Sequence, residues 1–243
     1  MELIYRQSFD VSDAHLDCFG RVKPSAVLYF AQEVSANHAA LLGASWEDLS
    51  EKELFWAILR HRVQIERLPM AGERITLETW PMPTTRVAYP RAVVAYDEKG
   101  NLLFRTVAIW VLMHKRTRAM VLPAKSDVVV PGIVRGTELA LPSSLPPATA
   151  SNQTLRTVSS AELDRNGHMN NTRYLDWVYD LLPSTFHQHH PLREMTVCYL
   201  SEAMQNQTIS LHWELSETHC LKVEAHRGQQ GKAERVFATT LQF

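Results

Sequence analysis

The chain has 243 residues, of which 45% are hydrophobic and 21% charged, a globular composition long enough for one large domain or two modest ones. Its 25 Lys and Arg nearly balance 26 Asp and Glu, so a formal charge of -1 gives no global reason to expect nucleic acid or an anionic membrane as partner. The opening MELIYRQSFD lacks the apolar centre of a signal peptide, the apolar run VAIWVLM (107–113) is far below the roughly 18 residues of a membrane span, and Cys18, Cys198 and Cys220 show no paired spacing; these features predict a cytoplasmic protein with reduced thiols and no removed segment.

In chain order, VSDAHLDCFG (11–20) reads as a strand end and turn that leads into a helix over 24–42. Pro24 suits its first turn, and Val27, Ala31, Val34, His38 and Leu41 recur at helical spacing. Runs at 55–67, 73–80, 86–97 and 102–113 alternate β-branched or aromatic residues with polar ones and predict strands. HKRTR (114–118), after the last of these, reads as a basic hairpin turn, with contact to an acidic partner as the alternative. Five prolines between 123 and 152, among clusters of Ser, Thr and Ala, break any period and mark a linker. A second helix is then expected through Tyr174, Val178, Leu181 and Leu182, followed by strands at 194–203, 207–215, 219–226 and 233–243. HQHH (187–190) follows Pro183 and has no acidic or cysteine partner at ligand spacing, so a solvated loop is expected there and no metal.

The two halves repeat. VSDAHLDCFG lies over VSSAELDRNG (158–167) at an offset of 147, and RITLETW (74–80) over TISLHWE (208–214) at an offset of 134. One helix and about five strands thus occur twice, which divides the chain into 1–125, a linker at 126–153, and 154–243. A single antiparallel unit of this kind would leave an apolar edge or face exposed, and pairing two copies covers it.

The copies differ where the chemistry gathers. In LDRNGHMNN (163–171), Asn166 falls opposite Phe19 and His168 opposite Arg21, while Glu202 falls opposite Leu68; only Asp164 keeps its counterpart, Asp17. A purely structural turn would be needed in both copies, so the second half is expected to carry a site and the first to support it. If Asn170 or Asn171 caps the following helix, the backbone N–H groups at its start would suit an oxyanion.

LDRNGHMNNTRYLDW (163–177) resembles the motif D-x-N-x-H-(V/M)-N-N-x-x-Y-x-x-W of the plant and bacterial acyl-ACP thioesterases. WAILRHRVQIERLPMAGERITLETWP (56–81), RAVVAYDEKGNLLFRTVAIWVLM (91–113) and VCYLSEAMQNQTI (197–209) resemble further segments of that family in the same order. The resemblance implies an α+β fold of two tandem hotdog domains, each an antiparallel sheet wrapped around a long helix. It implies hydrolysis of fatty acyl thioesters of acyl carrier protein without cofactor or metal, with Asp164, Asn166 and His168 as active-site groups and Glu202 as an acid from the following strand. The first domain would hold the acyl chain, which fits Phe19, Leu68 and the apolar helix 24–42. Arg173, just beyond the motif, is as good a candidate for a carrier-protein contact as the 114–118 turn, which is read first as an ordinary basic hairpin.

A cysteine common in the family after that acid is here Ala203, which argues against a cysteine nucleophile. Cys198, roughly 13 Å before Glu202 along an extended strand, is too far to replace it. The expected chemistry is attack by water, with Glu202 as general base, His168 and Asn166 positioning the water or polarising the carbonyl, and Asp164 orienting them; direct attack by a carboxylate is the alternative. Hydrolysis of coenzyme A esters, a non-catalytic acyl-binding protein and a hotdog hydratase are the competing readings. Trp80, Trp110 and Trp177 need no explanation beyond core packing. Both a monomer and a homodimer fit a fused pair of hotdogs, and acyl length is not legible.

Overall fold

In a computed structural model that describes residues 2–147, 150–228 and 233–243, each half builds five long strands and lays helices against one face of them. The first half contains β1 (Tyr5–Asp10), α1 (Pro24–Leu41), α2 (Trp46–Glu51), β2 (Leu54–Ile65), β3 (Arg74–Pro81), β4 (Tyr89–Tyr96), β5 (Leu102–His114) and the short β6 (Met120–Val121). The second contains β7 (Asn152–Thr157), α3 (Arg173–Tyr179), α4 (Ser184–His189), β8 (Glu194–Tyr199), β9 (Thr208–Leu215), β10 (Cys220–Arg227) and β11 (Glu234–Gln242).

All strands join one antiparallel sheet in the order β1-β3-β4-β5-β2-β8-β11-β10-β9-β7, with β6 beside β5. Read outward from the centre, the order in the second half repeats that of the first, strand for corresponding strand. The halves meet at β2 and β8, where Arg60 pairs with Cys198 and Val63 with Met195. The sheet is therefore continuous across the repeat.

The two sequence offsets are offsets in hydrogen bonding as well. Val22 N–H donates to Pro69 O at 2.8 Å, and Met169 N–H to Ala203 O at 2.8 Å. Bridges Leu16–Val22 and Arg21–Met70 in the first half recur as Leu163–Met169 and His168–Met204 in the second.

α1 is long because its apolar residues hold one face over five turns: Val27, Phe30, Ala31 and Val34 are buried against the sheet. The second helix is shorter than its spacing predicts. α3 stops at Tyr179, and Pro183, which lacks an N–H and clashes with the preceding turn, separates it from α4. HQHH is accordingly not a loop: α4 runs through His189, and His187 is buried with its ring stacked on Tyr179 at 3.6 Å and Nε2 2.8 Å from Tyr179 O. Burial lowers the His187 pKa, so this side chain serves packing.

The irregular segment after β6 straps the outer face of the first half. Ile133 and Leu139 pack on Trp80, Ala92 and Val94, and Ile133 N–H donates to Pro81 O at 2.9 Å. Gly132 passes so close to the sheet that a Cβ there would lie 2.3 Å from Met82 O. β8 ends at Tyr199, earlier than the expected 203, because Leu200 and Ser201 both turn their N–H groups to Val236 O. Glu202 therefore stands on the turn beyond the strand.

Candidate active site

The loop after β7 is closed on itself by Asp164. Its Oδ1 accepts from the N–H of Asn166 at 2.8 Å and of His168 at 3.4 Å, while Gly167 N–H donates to Asp164 O at 3.0 Å. The turn requires a positive φ, which Gly167 supplies at 80°, as Gly20 does at 73° in the first copy. Asp17 makes the same loop, taking the N–H groups of Phe19 at 2.9 Å and Arg21 at 3.0 Å, and adds an ion pair with the Arg21 guanidinium. The scaffold is duplicated; its polar cargo is not.

The turn 200–207 brings Glu202 against this loop. Arg227 Nη1 donates to Glu202 O at 2.8 Å and to Gln207 Oε1 at 3.0 Å, and Met169 N–H holds Ala203 O from the other side. Burial raises the Tyr174 hydroxyl well above its ordinary range, so it stays protonated beside this turn. Glu202 Oε2 then lies 3.2 Å from His168 Nε2, with His168 only 7% exposed. Of the four residues singled out from sequence, this pair is in direct contact. Asp164 holds the loop, and Asn166, exposed, reaches Asp164 Oδ2 with Nδ2 at 3.5 Å and makes no hydrogen bond to His168 or Glu202.

α3 begins after Thr172, which makes no side-chain cap bond of its own; Asn170 Oδ1 accepts from both the N–H and the hydroxyl of Thr172, so the side-chain acceptor at the helix approach is Asn170. The backbone N–H groups from Asn166 to Asn170, on the loop before α3, are all engaged within the fold, Asn170 with Glu162 O at 2.8 Å.

A third side chain completes the cluster. Arg118 extends from the hairpin between β5 and β6, in the other half of the chain. Its Nη1 lies 3.2 Å from Glu202 Oε1 and its Nη2 3.1 Å from His168 Nε2. The guanidinium also sits over the Phe55 ring at 5.1 Å. The spacing of HKRTR gave no sign of this, because the contact spans 50 and 84 residues of sequence. The one local signal is Arg118's own backbone, at φ 56° where glycine or asparagine is usual.

Next to the loop, a cavity of about 430 Å³ opens between α1 and the first half's sheet. Ala36, Ala39, Phe55 and Tyr89 are among its walls, and Asp164 and Asn166 edge it. His168 and Glu202 are not part of the wall. One side is polar: the buried Arg91 donates to His38 Nδ1 at 3.0 Å and Thr79 Oγ1 at 3.2 Å, and burial lowers its pKa only to about 10, which leaves it charged at neutral pH. Trp110 lines the cavity too, beyond the core role expected of it.

The model of the acyl-ACP thioesterase N-terminal domain matches residues 2–129, and that of the family's C-terminal domain matches residues 146–242. The chain belongs to the acyl-ACP thioesterase family. Among curated relatives of this family, a chloroplastic dodecanoyl-acyl-carrier-protein hydrolase from Cinnamomum camphora is 26% identical over 225 residues, covering 85% of this chain and 58% of the relative. The chain thus spans little more than half the length of that relative. A crystal structure of an acyl-ACP thioesterase from Bacteroides thetaiotaomicron superposes with a TM-score of 0.85 at 21% identity over 99% of this chain and 97% of that one. A 12:0-ACP thioesterase from Umbellularia californica gives 0.82 at 22%, covering 100% and 97%. These likenesses establish the double-hotdog fold.

Ala203 is fully buried in the turn, and Cys198 is buried with its Sγ 3.7 Å from Ser143 O, in the irregular segment after β6. Among the described residues, no helix is long and apolar enough to cross a membrane.

Proposed function

We propose that the protein hydrolyses fatty acyl thioesters of acyl carrier protein, releasing free fatty acid and the carrier thiol. The observation that carries this reading is the contact of His168 Nε2 with Glu202 Oε2 at 3.2 Å, the histidine standing on the loop whose Asp164 and Asn166 edge the cavity. In the proposed reaction Glu202 takes a proton from water as the water oxygen bonds to the thioester carbon, and collapse of the tetrahedral species breaks the C–S bond and returns a proton to the leaving sulfur. His168 borders the water's position. Asn166 Nδ2, exposed at the cavity's edge, is the donor we assign to the carbonyl oxygen, since the neighbouring amides are engaged. Asp164 keeps the loop in shape.

The same reading gives residues 1–125 the acyl chain, 126–153 the role of linker, and 154–243 the chemistry. It makes acyl carrier protein the partner, with neither metal nor organic cofactor. The three free cysteines support a cytoplasmic location.

The test is release of free thiol from acyl carrier protein and coenzyme A esters, C8 to C18, by the wild type and by Glu202→Gln. The expected outcome is hydrolysis of carrier-protein esters that falls by about 100-fold or more in the variant. Preference for coenzyme A esters would move the substrate to that class, and no hydrolysis of any ester by the wild type would end the enzymatic reading. A single turnover in heavy-oxygen water separates the two chemistries: label in the Glu202 carboxylate would show attack by the side chain.

A further inference from the structure

His168 Nε2 has two close neighbours, Arg118 Nη2 at 3.1 Å and Glu202 Oε2 at 3.2 Å. A ring nitrogen donates or accepts one hydrogen bond; it does not do both. Arginine only donates and a carboxylate only accepts, so Arg118 and Glu202 ask opposite things of the same atom. If Nε2 carries a proton, it serves Glu202 and faces the guanidinium N–H groups. If it is bare, it accepts from Arg118, and the cation offsets the repulsion between the imidazole lone pair and the carboxylate.

Three observations favour the second arrangement. Arg118 is anchored independently of His168, through Nη1 to Glu202 Oε1 at 3.2 Å and through its stacking on Phe55. Its fork thus reaches both partners at once from one position. The backbone at Arg118 is held in the left-handed region, at φ 56°, in a hairpin where a glycine would be unstrained. The turn itself is closed by backbone pairing, Arg118 N–H to His114 O at 2.9 Å and His114 N–H to Ala119 O at 2.9 Å, so the turn alone does not require an arginine side chain.

We propose that Arg118, supplied by the first half of the chain, is a positioning residue that decides which group of the second half's site accepts the proton. Its fork occupies Glu202 Oε1 and His168 Nε2, and Glu202 Oε2 alone is left to receive the proton of the attacking water. His168 then rests with its proton on Nδ1. The assignment rests on the thioesterase reading for its catalytic consequence, but the state of the imidazole is a property of the resting protein.

The experiment uses the full chain as wild type, Arg118→Gly, which suits the positive φ, Arg118→Lys, and Arg86→Gly, on the exposed loop between β3 and β4, as a control. Imidazole ¹⁵N shifts of His168 are read first. The wild type is expected to show Nε2 unprotonated, and Arg118→Gly to move the proton to Nε2, where it can serve Glu202. A wild-type ring protonated on Nε2, or the same tautomer in both proteins, would overturn the proposal whether or not the protein is a thioesterase. In steady-state hydrolysis, Arg118→Gly is expected to lose about 10- to 100-fold in kcat with KM changed by no more than about threefold, Arg118→Lys to recover part of that loss, and Arg86→Gly to match the wild type. A loss confined to KM would make Arg118 a docking contact and overturn the positioning role. An inactive wild type with the expected tautomer change would sink the thioesterase reading and leave the assignment of Arg118 standing.

Discussion

Asp17 and Asp164 take the same backbone hydrogen bonds, each accepting with Oδ1 from the N–H groups two and four residues ahead. Only Asp164 does so beside His168 and Glu202. Replacing Asp17 by alanine leaves two half-buried amides without an acceptor and should cost about 1–3 kcal/mol in urea unfolding; Asp164→Ala, which frees one half-buried and one exposed amide, should cost about 1 kcal/mol. Asp17→Ala is expected to keep the wild-type kcat once folded, whereas Asp164→Ala should lose activity beyond its loss of stability. Equal activity in the two variants would make the second loop as purely structural as the first.

The cavity wall offers a second prediction. Ala39 on α1 lines it, and Ala39→Phe fills part of its volume from a wall that neither His168 nor Glu202 lines. The activity profile should shift toward shorter acyl chains, at about 0.8 kcal/mol, or fourfold in kcat/KM, for each methylene no longer accommodated. An unchanged profile across C8 to C18 would place the acyl chain elsewhere.

His61 makes the fold sensitive to acid. Burial lowers its pKa from 6.5 to about 3, with Nε2 2.9 Å from Thr106 Oγ1. The unfolded chain therefore binds a proton that the folded chain refuses, and stability, fully present above the unfolded pKa, is lost as pH falls from 6.5 toward 3. By about pH 5 the loss from this residue should reach about 2 kcal/mol. Urea midpoints of wild type and His61→Gln, measured between about pH 7 and pH 5, should converge as the pH drops. Parallel curves would rule out His61 as the source.

Gly132 is the tightest point of the strap. With the position of a Cβ 2.3 Å from Met82 O, a backbone atom that cannot swing aside, Gly132→Ala should cost about 1–3 kcal/mol in urea unfolding. A variant as stable as the wild type would show that the strap lifts from the sheet at no cost.

Much of the architecture was legible because it occurs twice. The offsets of 147 and 134 align residues that the fold also aligns, since the same loop needs an aspartate acceptor and a glycine at positive φ in each copy. The two-unit organisation followed from that repeat, and its hotdog character from the resemblance of the family segments. Other features depend on contacts that local spacing does not encode. Leu181 and Leu182 continue the helical period, yet Pro183 and the packing of His187 on Tyr179 divide the helix in two. The strand pattern runs to 203, but Val236 O draws the chain out of the sheet at Leu200. Most of all, Arg118 looked like an ordinary turn residue. Its partners lie in the other half, and only the folded sheet brings them together.

The seam between β2 and β8 changes what the linker is for. Because the two halves share main-chain hydrogen bonds from Gln64–Glu194 to Arg60–Cys198 in the middle of one sheet, their mutual recognition is written into the backbone and not into the connection between them. Severing the peptide chain within 126–153 would leave two fragments, each presenting the other's missing neighbour strand. Such fragments are natural templates for reassembly, and the site, which takes Arg118 from one and His168 and Glu202 from the other, would exist only when they had found each other.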